Sequence, residues 1–197
     1  MENHIHNIDD EFIADFIAGK ASAFEKILKL YKELVLNIAY RFLQDRTEAE
    51  DVAQEVFLRV YRSAKTYKPR AKFSTWLYKI TANVCLNRLR EKKRFTNDFQ
   101  NGGPDLCGEY AYPFNSPVNL ASHPSEEFEK KEMQKIVKAA LQVLPPNQRL
   151  AVIFKKFQGL SYQEIADILD CSIPAVDSLL QRAKNNLRKA LSPYVHK

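Results

Sequence analysis

Cysteine is scarce in this chain of 197 residues, with only Cys85, Cys107 and Cys171. They are odd in number and include no C-x-x-C pair, so they make no disulfide framework. His4, His6, His123 and His196 stand at spacings that suit no zinc site with them. Metal and redox chemistry are therefore not expected, and the thiols read as buried or idle. Glycine is also sparse, at five residues. No glycine-rich phosphate loop, G-x-S-x-G elbow or H-E-x-x-H pair occurs, so neither a catalytic site nor a cofactor is expected. No apolar run approaches the roughly 20 residues of a membrane span. The opening MENHIHNIDDEF is polar and acidic, unlike a signal peptide. A cytoplasmic protein with no membrane insertion is the expectation. Alternating Val/Ile/Thr runs bounded by turns are few, which argues against a sheet.

What the chain does contain is helix formers and unevenly placed charge. Hydrophobic residues make up 45% and charged residues 27%, a balance typical of folded domains. The formal net charge is +6. From Phe95 to Glu129 there is no Lys or Arg, and six acidic residues stand there. Residues 1–94 carry 18 basic and 13 acidic side chains, and residues 130–197 carry 12 and 5. Two basic blocks flanking an acidic strip point to a polyanionic partner. The strip itself, NDFQNGGPDLCGEYAYPFNSPVNLASHP, has Gly-Gly, four Pro and no sustained helical period, so it reads as a linker. It is either a solvated spacer or a segment that docks in a basic channel.

Apolar residues recur at helical intervals through AFEKILKLYKELVLNIAYRFLQ. Thr47 with Glu50 forms a capping-box pattern opening a helix through EDVAQEVFLRVYRSA, and another helix is expected from near Ser74. After the strip, Ser125 is expected to cap EEFEKKEMQKIVKAALQVL, and Pro145-Pro146 separates it from NQRLAVIFKKFQ. The expected fold is all-α, with two small helical domains joined by a flexible acidic linker: residues 1–94, 95–125 and 126–197.

The last of these domains carries SYQEIADILDCSIPAVDSLLQRAK. Ser161 and Glu164 make a second capping box, and the apolar stripe Ile165, Ala166, Ile168, Leu169 stops at Asp170-Cys171. Ser172 is an N-cap candidate, and Val176, Leu180, Ala183, Leu187 and Leu191 mark a longer helix. A short helix, a tight turn and a longer helix form the skeleton of a helix-turn-helix, though a plain helical hairpin shares the spacing. Asp170 sits where glycine often makes the turn, and Asp also visits positive φ cheaply. Ser172, Ala175, Ser178 and Arg182 would face the bases.

A second pattern lies upstream. In TYKPRAKFSTWLYKITANVCLNRLREKKR, Tyr67, Phe73 and Trp76 are interleaved with Lys68, Arg70, Lys72, Lys79 and Arg90. Basic side chains follow a phosphate backbone and aromatic faces stack on unpaired bases, so the mixture suits single-stranded or melted DNA. Core packing by Trp76 and Leu77 is the competing reading.

These pieces together resemble sigma factors of the extracytoplasmic-function group in the sigma-70 family. GKASAFEKILKLYKELV, EAEDVAQEVFLRVYRSAKTY, KFSTWLYKITANVCLNRLR, LPPNQRLAVIFKKFQGLSYQEIADIL and VDSLLQRAKNNLRKAL stand in the family's order and cover most of residues 12–191. The resemblance implies that Asp51, Gln54, Glu55 and Phe57 dock on the clamp helices of the polymerase largest subunit. It implies that the stretch from Tyr67 to Trp76 and the following helix capture bases of the −10 element, with Tyr67, Lys68, Arg70, Lys72, Phe73, Trp76, Lys79, Asn83, Asn87 and Arg90 as contacts. Asn87 departs from the acidic residue usual there. The C-terminal domain would read the −35 element through Ser172, Pro174, Ala175, Ser178, Arg182, Lys184 and Arg188. Implied partners are core RNA polymerase, at clamp and flap, promoter DNA, and an anti-sigma factor of the kind common in the group. A free-standing helix-turn-helix regulator would explain the last domain alone, and no clustered carboxylates suggest a nucleic-acid-processing enzyme.

Overall fold

A computed structural model describes residues 10–67, 72–97 and 126–195. Eight helices account for nearly all of them, with no strand among the described residues: α1 (Asp10–Ile17), α2 (Ala21–Leu43), α3 (Arg46–Ser63), α4 (Phe73–Asn97), α5 (Glu126–Gln142), α6 (Pro146–Phe157), α7 (Tyr162–Leu169) and α8 (Ile173–Val195). None is long and apolar enough to cross a membrane.

Local chemistry sets most of the boundaries. Helix α2 ends where Gln44 turns left-handed at φ 62, its N–H donating to the Tyr40 carbonyl. Asp45 follows at once as the N-cap of α3, and its Oδ1 accepts from the Glu48 N–H at 3.0 Å. The cap is thus Asp45 rather than Thr47, which lies inside the first turn. An Asp directly after a helix stop competes well for that role because its short carboxylate reaches the free N–H groups. The expected start near Ser74 falls at Phe73, where the Lys72 carbonyl accepts from the Thr75 and Trp76 N–H groups. Pro146 opens α6 at a position where its missing N–H costs nothing. Ser125, the expected cap of α5, lies outside the described residues. Helix α1 was not foreseen: eight residues are too few for a periodic signal.

Helices α2, α3 and α4 pack against one another, with α1 laid across α2. Their apolar faces supply Ile27, Tyr31, Val35, Ile38, Phe42, Val52, Val56, Val60 and Leu77, all fully buried. Leu150, Ile153, Phe154, Ile165 and Val176 from α6, α7 and α8 belong to the same buried cluster, while Leu141, Leu144, Val152 and Ala183 form a smaller one joining α5, α6 and α8. The C-terminal helices therefore lie directly on the N-terminal ones, α6 on α2 and α7 on α4. Arg149 is the polar member of that seam. It is only 4% exposed, and its guanidinium donates to the carbonyls of Phe42 (2.6 Å), Gln142 (2.8 Å) and Leu144 (3.2 Å). These carbonyls belong to helix ends or just beyond them, where acceptors lack intrahelical partners and a cation meets the negative end of the dipole.

Candidate nucleic-acid interface

The helix-turn-helix is present and its signals are all local. Ser161 accepts from the Glu164 N–H (3.2 Å) while Glu164 accepts from the Ser161 N–H (2.9 Å), so the capping box closes in both directions. Asp170 makes the turn at φ 52, its N–H donating to the Ala166 carbonyl. Ser172 then caps α8, its hydroxyl accepting from the Ala175 N–H at 3.3 Å. Val176, Ile165 and Ala166 bury the angle between the two helices. On the outer side of α8, Ser172, Pro174, Ser178, Arg182, Lys184 and Arg188 are exposed and Ala175 is half-buried. Ala175, Ser178 and Arg182 share one face at intervals of three and four; Lys184 and Arg188 share a neighbouring one.

Along α4 a second polar face runs in the same rhythm. Lys72, Trp76, Lys79, Asn83, Asn87 and Arg90 follow one another at intervals of three and four. Lys72, Asn83, Asn87 and Arg90 are exposed, while Trp76 and Lys79 are half-buried. Arg90 donates to the Asn87 side-chain carbonyl at 3.0 Å. Tyr67 and Phe73 do not join this face. Both are buried, their rings meeting Trp76 at 4.5 and 5.4 Å between centroids, with Phe16 against all three. Two aromatic rings flanking an unforeseen helix α1 find more apolar area inward than outward. Their place is behind Trp76, where they fix the indole's position. Lys68 and Arg70 lie outside the described residues.

The α3 residues divide similarly. Asp51 and Gln54 are exposed, Glu55 is half-buried and pairs with Arg59 at 2.7 Å, and all three line a cleft between α3 and α4 with Leu58, Asn87, Arg88 and Glu91. Phe57 is 5% exposed and belongs to the core, so it cannot dock on a partner while the helix is packed. Its neighbour Leu58, 49% exposed, is the apolar side chain that the cleft presents. A helical step of about 100° separates the two, and on a helix with both Val56 and Phe57 buried the next residue turns out. Arg88 was also missed as a positioning residue. It lies 3.2 Å from Glu48 and 3.6 Å from Asp51, and Lys92 lies 3.3 Å from Glu48. Such a network holds Asp51 at the cleft rim.

The two polar faces are not independent. Lys72 Nζ lies 3.3 Å from Glu164, Lys79 hydrogen-bonds Asp170, and the Tyr78 and Phe154 rings pack at 5.8 Å. Helix α7 thus sits over the start of the α4 face. The electrostatics follow this packing. The backbone N–H of Ser161 holds the Glu164 carboxyl below its usual range; partial burial opposes the shift, and the Ser161 hydroxyl and Lys72 reinforce it. Burial pushes the Tyr31 phenol up to about 12, aided by Tyr67, and raises Tyr78 further. Burial also pushes the Cys85 thiol up to about 12.

A helix-turn-helix with an outward polar recognition helix, beside a basic helix face carrying a supported indole, defines a helical DNA-binding protein. Residues 27–95 match the family model for Sigma-70 region 2, and residues 134–187 that for Sigma-70 region 4. The chain is 32% identical to the RNA polymerase sigma-H factor of Pseudomonas aeruginosa over 187 residues, covering 94% of each. It is 31% identical to the ECF RNA polymerase sigma factor SigW of Bacillus subtilis, covering 88% of this chain and 91% of that one. Identity to the ECF RNA polymerase sigma-E factor of Escherichia coli is 29%, over 91% and 92% of the two chains. Among solved structures, CnrH in complex with the cytosolic domain of CnrY matches with a TM-score of 0.68 at 20% identity, over 95% of this chain and 99% of that one. The sigma factor RpoE of Bartonella quintana, in complex with the anti-sigma factor NepR, matches with a TM-score of 0.63 at 22% identity, over 88% and 98%. The chain belongs to the sigma-70 family, as an RNA polymerase sigma factor of the extracytoplasmic-function group.

Proposed function

We propose that this chain directs core RNA polymerase to specific promoters and assists melting by trapping unstacked bases on α4. The division of labour is residues 1–94 for polymerase binding and the −10 element, 95–125 as linker, and 126–197 for the −35 element. The observation that carries the reading is the single face of α4 on which Lys72, Trp76, Lys79, Asn83, Asn87 and Arg90 alternate charge, amide and indole. Cations there follow a phosphate backbone, and the indole offers a surface for one unpaired base. Tyr67 and Phe73 support the indole from behind, and Lys68 and Arg70 extend the basic run.

Docking on the clamp of the largest polymerase subunit falls to Asp51, Gln54 and Glu55, with Leu58 as the apolar contact in place of Phe57. In α8, Ser172, Pro174, Ala175 and Ser178 enter the major groove first, while Arg182, Lys184 and Arg188 meet phosphates. The polymerase flap and an anti-sigma factor are further partners; both solved neighbours described above are complexes. The protein acts in the cytoplasm and catalyses no reaction of its own, because base capture stabilises the open promoter by differential binding alone.

Transcription from duplex and pre-melted templates by polymerase reconstituted with Trp76→Ala tests this. Loss of one stacking contact of about 1–3 kcal/mol predicts a drop of roughly tenfold on the duplex and a smaller one on the pre-melted template. Equal loss on both would remove the melting role. Stoichiometric co-elution with core polymerase, weakened by Leu58→Asp, tests the docking face.

A further inference from the structure

Helix α8 carries four exposed cations, Arg182, Lys184, Arg188 and Lys189, and a single carboxylate, Asp177. Every other acidic residue from α6 to α8 has a partner within the chain: Glu164 closes the capping box, Asp167 accepts from the Gln163 amide at 2.9 Å, and Asp170 accepts from Lys79. Asp177 is exposed and meets no hydrogen-bond or ion-pair partner among the described residues. Its own helix offers no cation to it. The residues three and four positions away are Ile173, Pro174, Leu180 and Gln181, so none stands where a helical ion pair needs a positive charge. Nor does it cap the helix. Ser172 does that, and Asp177 lies beyond the first turn, where the helix dipole has little left to give a carboxylate.

The register of α8 says where this side chain goes. Val176 and Ala183 are fully buried and mark the inward line of the helix. At about 100° per residue, Pro174, Ser178 and Gln181 lie opposite that line, with Asp177 on one flank and Arg182 on the other, and all five are exposed. Asp177 thus belongs to the end of the helix that enters a groove first. A carboxylate there repels phosphates and lowers attraction to DNA of any sequence. It gains only from a hydrogen-bond donor, and the donors in the major groove are the exocyclic amino groups, N4 of cytosine and N6 of adenine. Guanine O6 or thymine O4 in the same place would leave it desolvated against another acceptor. Gln181, one turn on, both donates and accepts. A helical turn rises about 5.4 Å against about 3.4 Å per base pair, so the two side chains reach neighbouring pairs.

We propose that Asp177 is a specificity-determining residue of the −35 interaction: it selects a base that presents an amino group to α8 and rejects guanine or thymine in that place. Cytosine suits it better than adenine, whose N7 acceptor stands beside the amino group. Gln181 reads the neighbouring pair. The inference rests on the reading of α8 as the −35 helix. Arg182, Lys184 and Arg188 supply attraction to any duplex, and Asp177 gives part of it up in exchange for discrimination.

The test uses holoenzyme reconstituted with the full chain and duplexes selected by it from a randomised pool. Sequencing the bound fraction gives the base preference at every position. Wild type should favour cytosine over guanine about five- to tenfold at one position of the −35 element, and Asp177→Ala should flatten that position alone. Asp177→Arg should move the preference there to guanine, whose O6 and N7 accept from both arms of a guanidinium. Both variants leave the buried line of α8 and its Ser172 cap untouched. Equal tightening of Asp177→Ala on every sequence would overturn the proposal, because the carboxylate would then only repel phosphates. So would a base profile unchanged in both variants. Failure of the α8 reading itself shows elsewhere: Arg182→Ala, Lys184→Ala and Arg188→Ala would then leave holoenzyme affinity and its salt dependence unaltered. If the reading holds, each weakens binding on all sequences alike and lowers the salt slope by about one.

Discussion

Replacing Arg149 by methionine should be among the most destabilising single changes in the chain. The guanidinium makes three hydrogen bonds to carbonyl oxygens, at 2.6, 2.8 and 3.2 Å, and lies 5.3 Å from the Phe42 ring. Bonds to a charged donor contribute about 1.5–3 kcal/mol each, which would sum to well above 4 kcal/mol if nothing offset them. Two effects do offset them. Removing the cation also removes its own desolvation cost, and methionine refills part of the volume. What persists is the exposure of acceptors without donors, so a net loss of about 3 kcal/mol is expected. For a chain of this size that lowers the melting temperature by roughly 6–12 °C. Arg149→Lys keeps the charge but cannot fork to three carbonyls and should lose about half as much. Thermal melts followed by far-ultraviolet circular dichroism measure both. A loss below about 0.5 kcal/mol for Arg149→Met, the range of ordinary surface substitutions, would refute the assignment of Arg149 as the strut between α2, α5 and α6.

The register of α3 gives a paired prediction: Phe57→Ala should cost about 3–5 kcal/mol of stability, whereas Leu58→Asp should leave the melt nearly unchanged and weaken co-elution with core polymerase. If both variants melted alike, the inward and outward assignments would be wrong. Ser161→Ala opens the capping box and should lower stability by about 1 kcal/mol, read from denaturant unfolding; no change would mean that α7 is held by packing alone. Because the Glu164 carboxyl is held below its ordinary value of 4.5, it contributes stability above that pH and loses it as the pH falls through the folded-state value. Acid titration of wild type should therefore lose more stability below about pH 4.5 than Glu164→Gln does; parallel curves would contradict the cause assigned here. Cys85, buried with its thiol pushed up to about 12, should resist iodoacetamide near neutral pH until the chain unfolds, as peptide mass mapping would show; labelling of the folded protein would place it nearer the surface.

The parts of the fold legible in the chain were those governed by a few consecutive residues. The capping box at Ser161, the αL turn at Asp170, the cap at Ser172 and the break at Pro145-Pro146 each depend on hydrogen bonds or sterics within five positions. Even there, rival local signals misled: Thr47 with Glu50 matched a capping pattern, but Asp45 is nearer the stop at Gln44 and takes the cap. The candidate site was legible as a set of residue types and less so as a set of directions. Phe57, Tyr67 and Phe73 were placed outward, yet the first belongs to a helix buried over much of its circumference, and the other two close an aromatic cluster with Phe16 of a helix too short to announce itself.

Residue types and their periodicity determined by themselves that the chain is helical, that a short helix, a tight turn and a longer helix follow one another from Ser161, and that basic and aromatic residues are interleaved through the α4 stretch. Those features arise from hydrogen bonds and side-chain spacing within one or two helical turns, which a linear string encodes. Only the tertiary structure decided which aromatic rings face water, that Arg149 spans helix ends more than a hundred residues apart, and that Lys72 and Lys79 lie against α7. Such contacts join residues far apart in the chain, and the choice among them rests on which buried surfaces fit together, a property of the whole packed core that no short stretch carries.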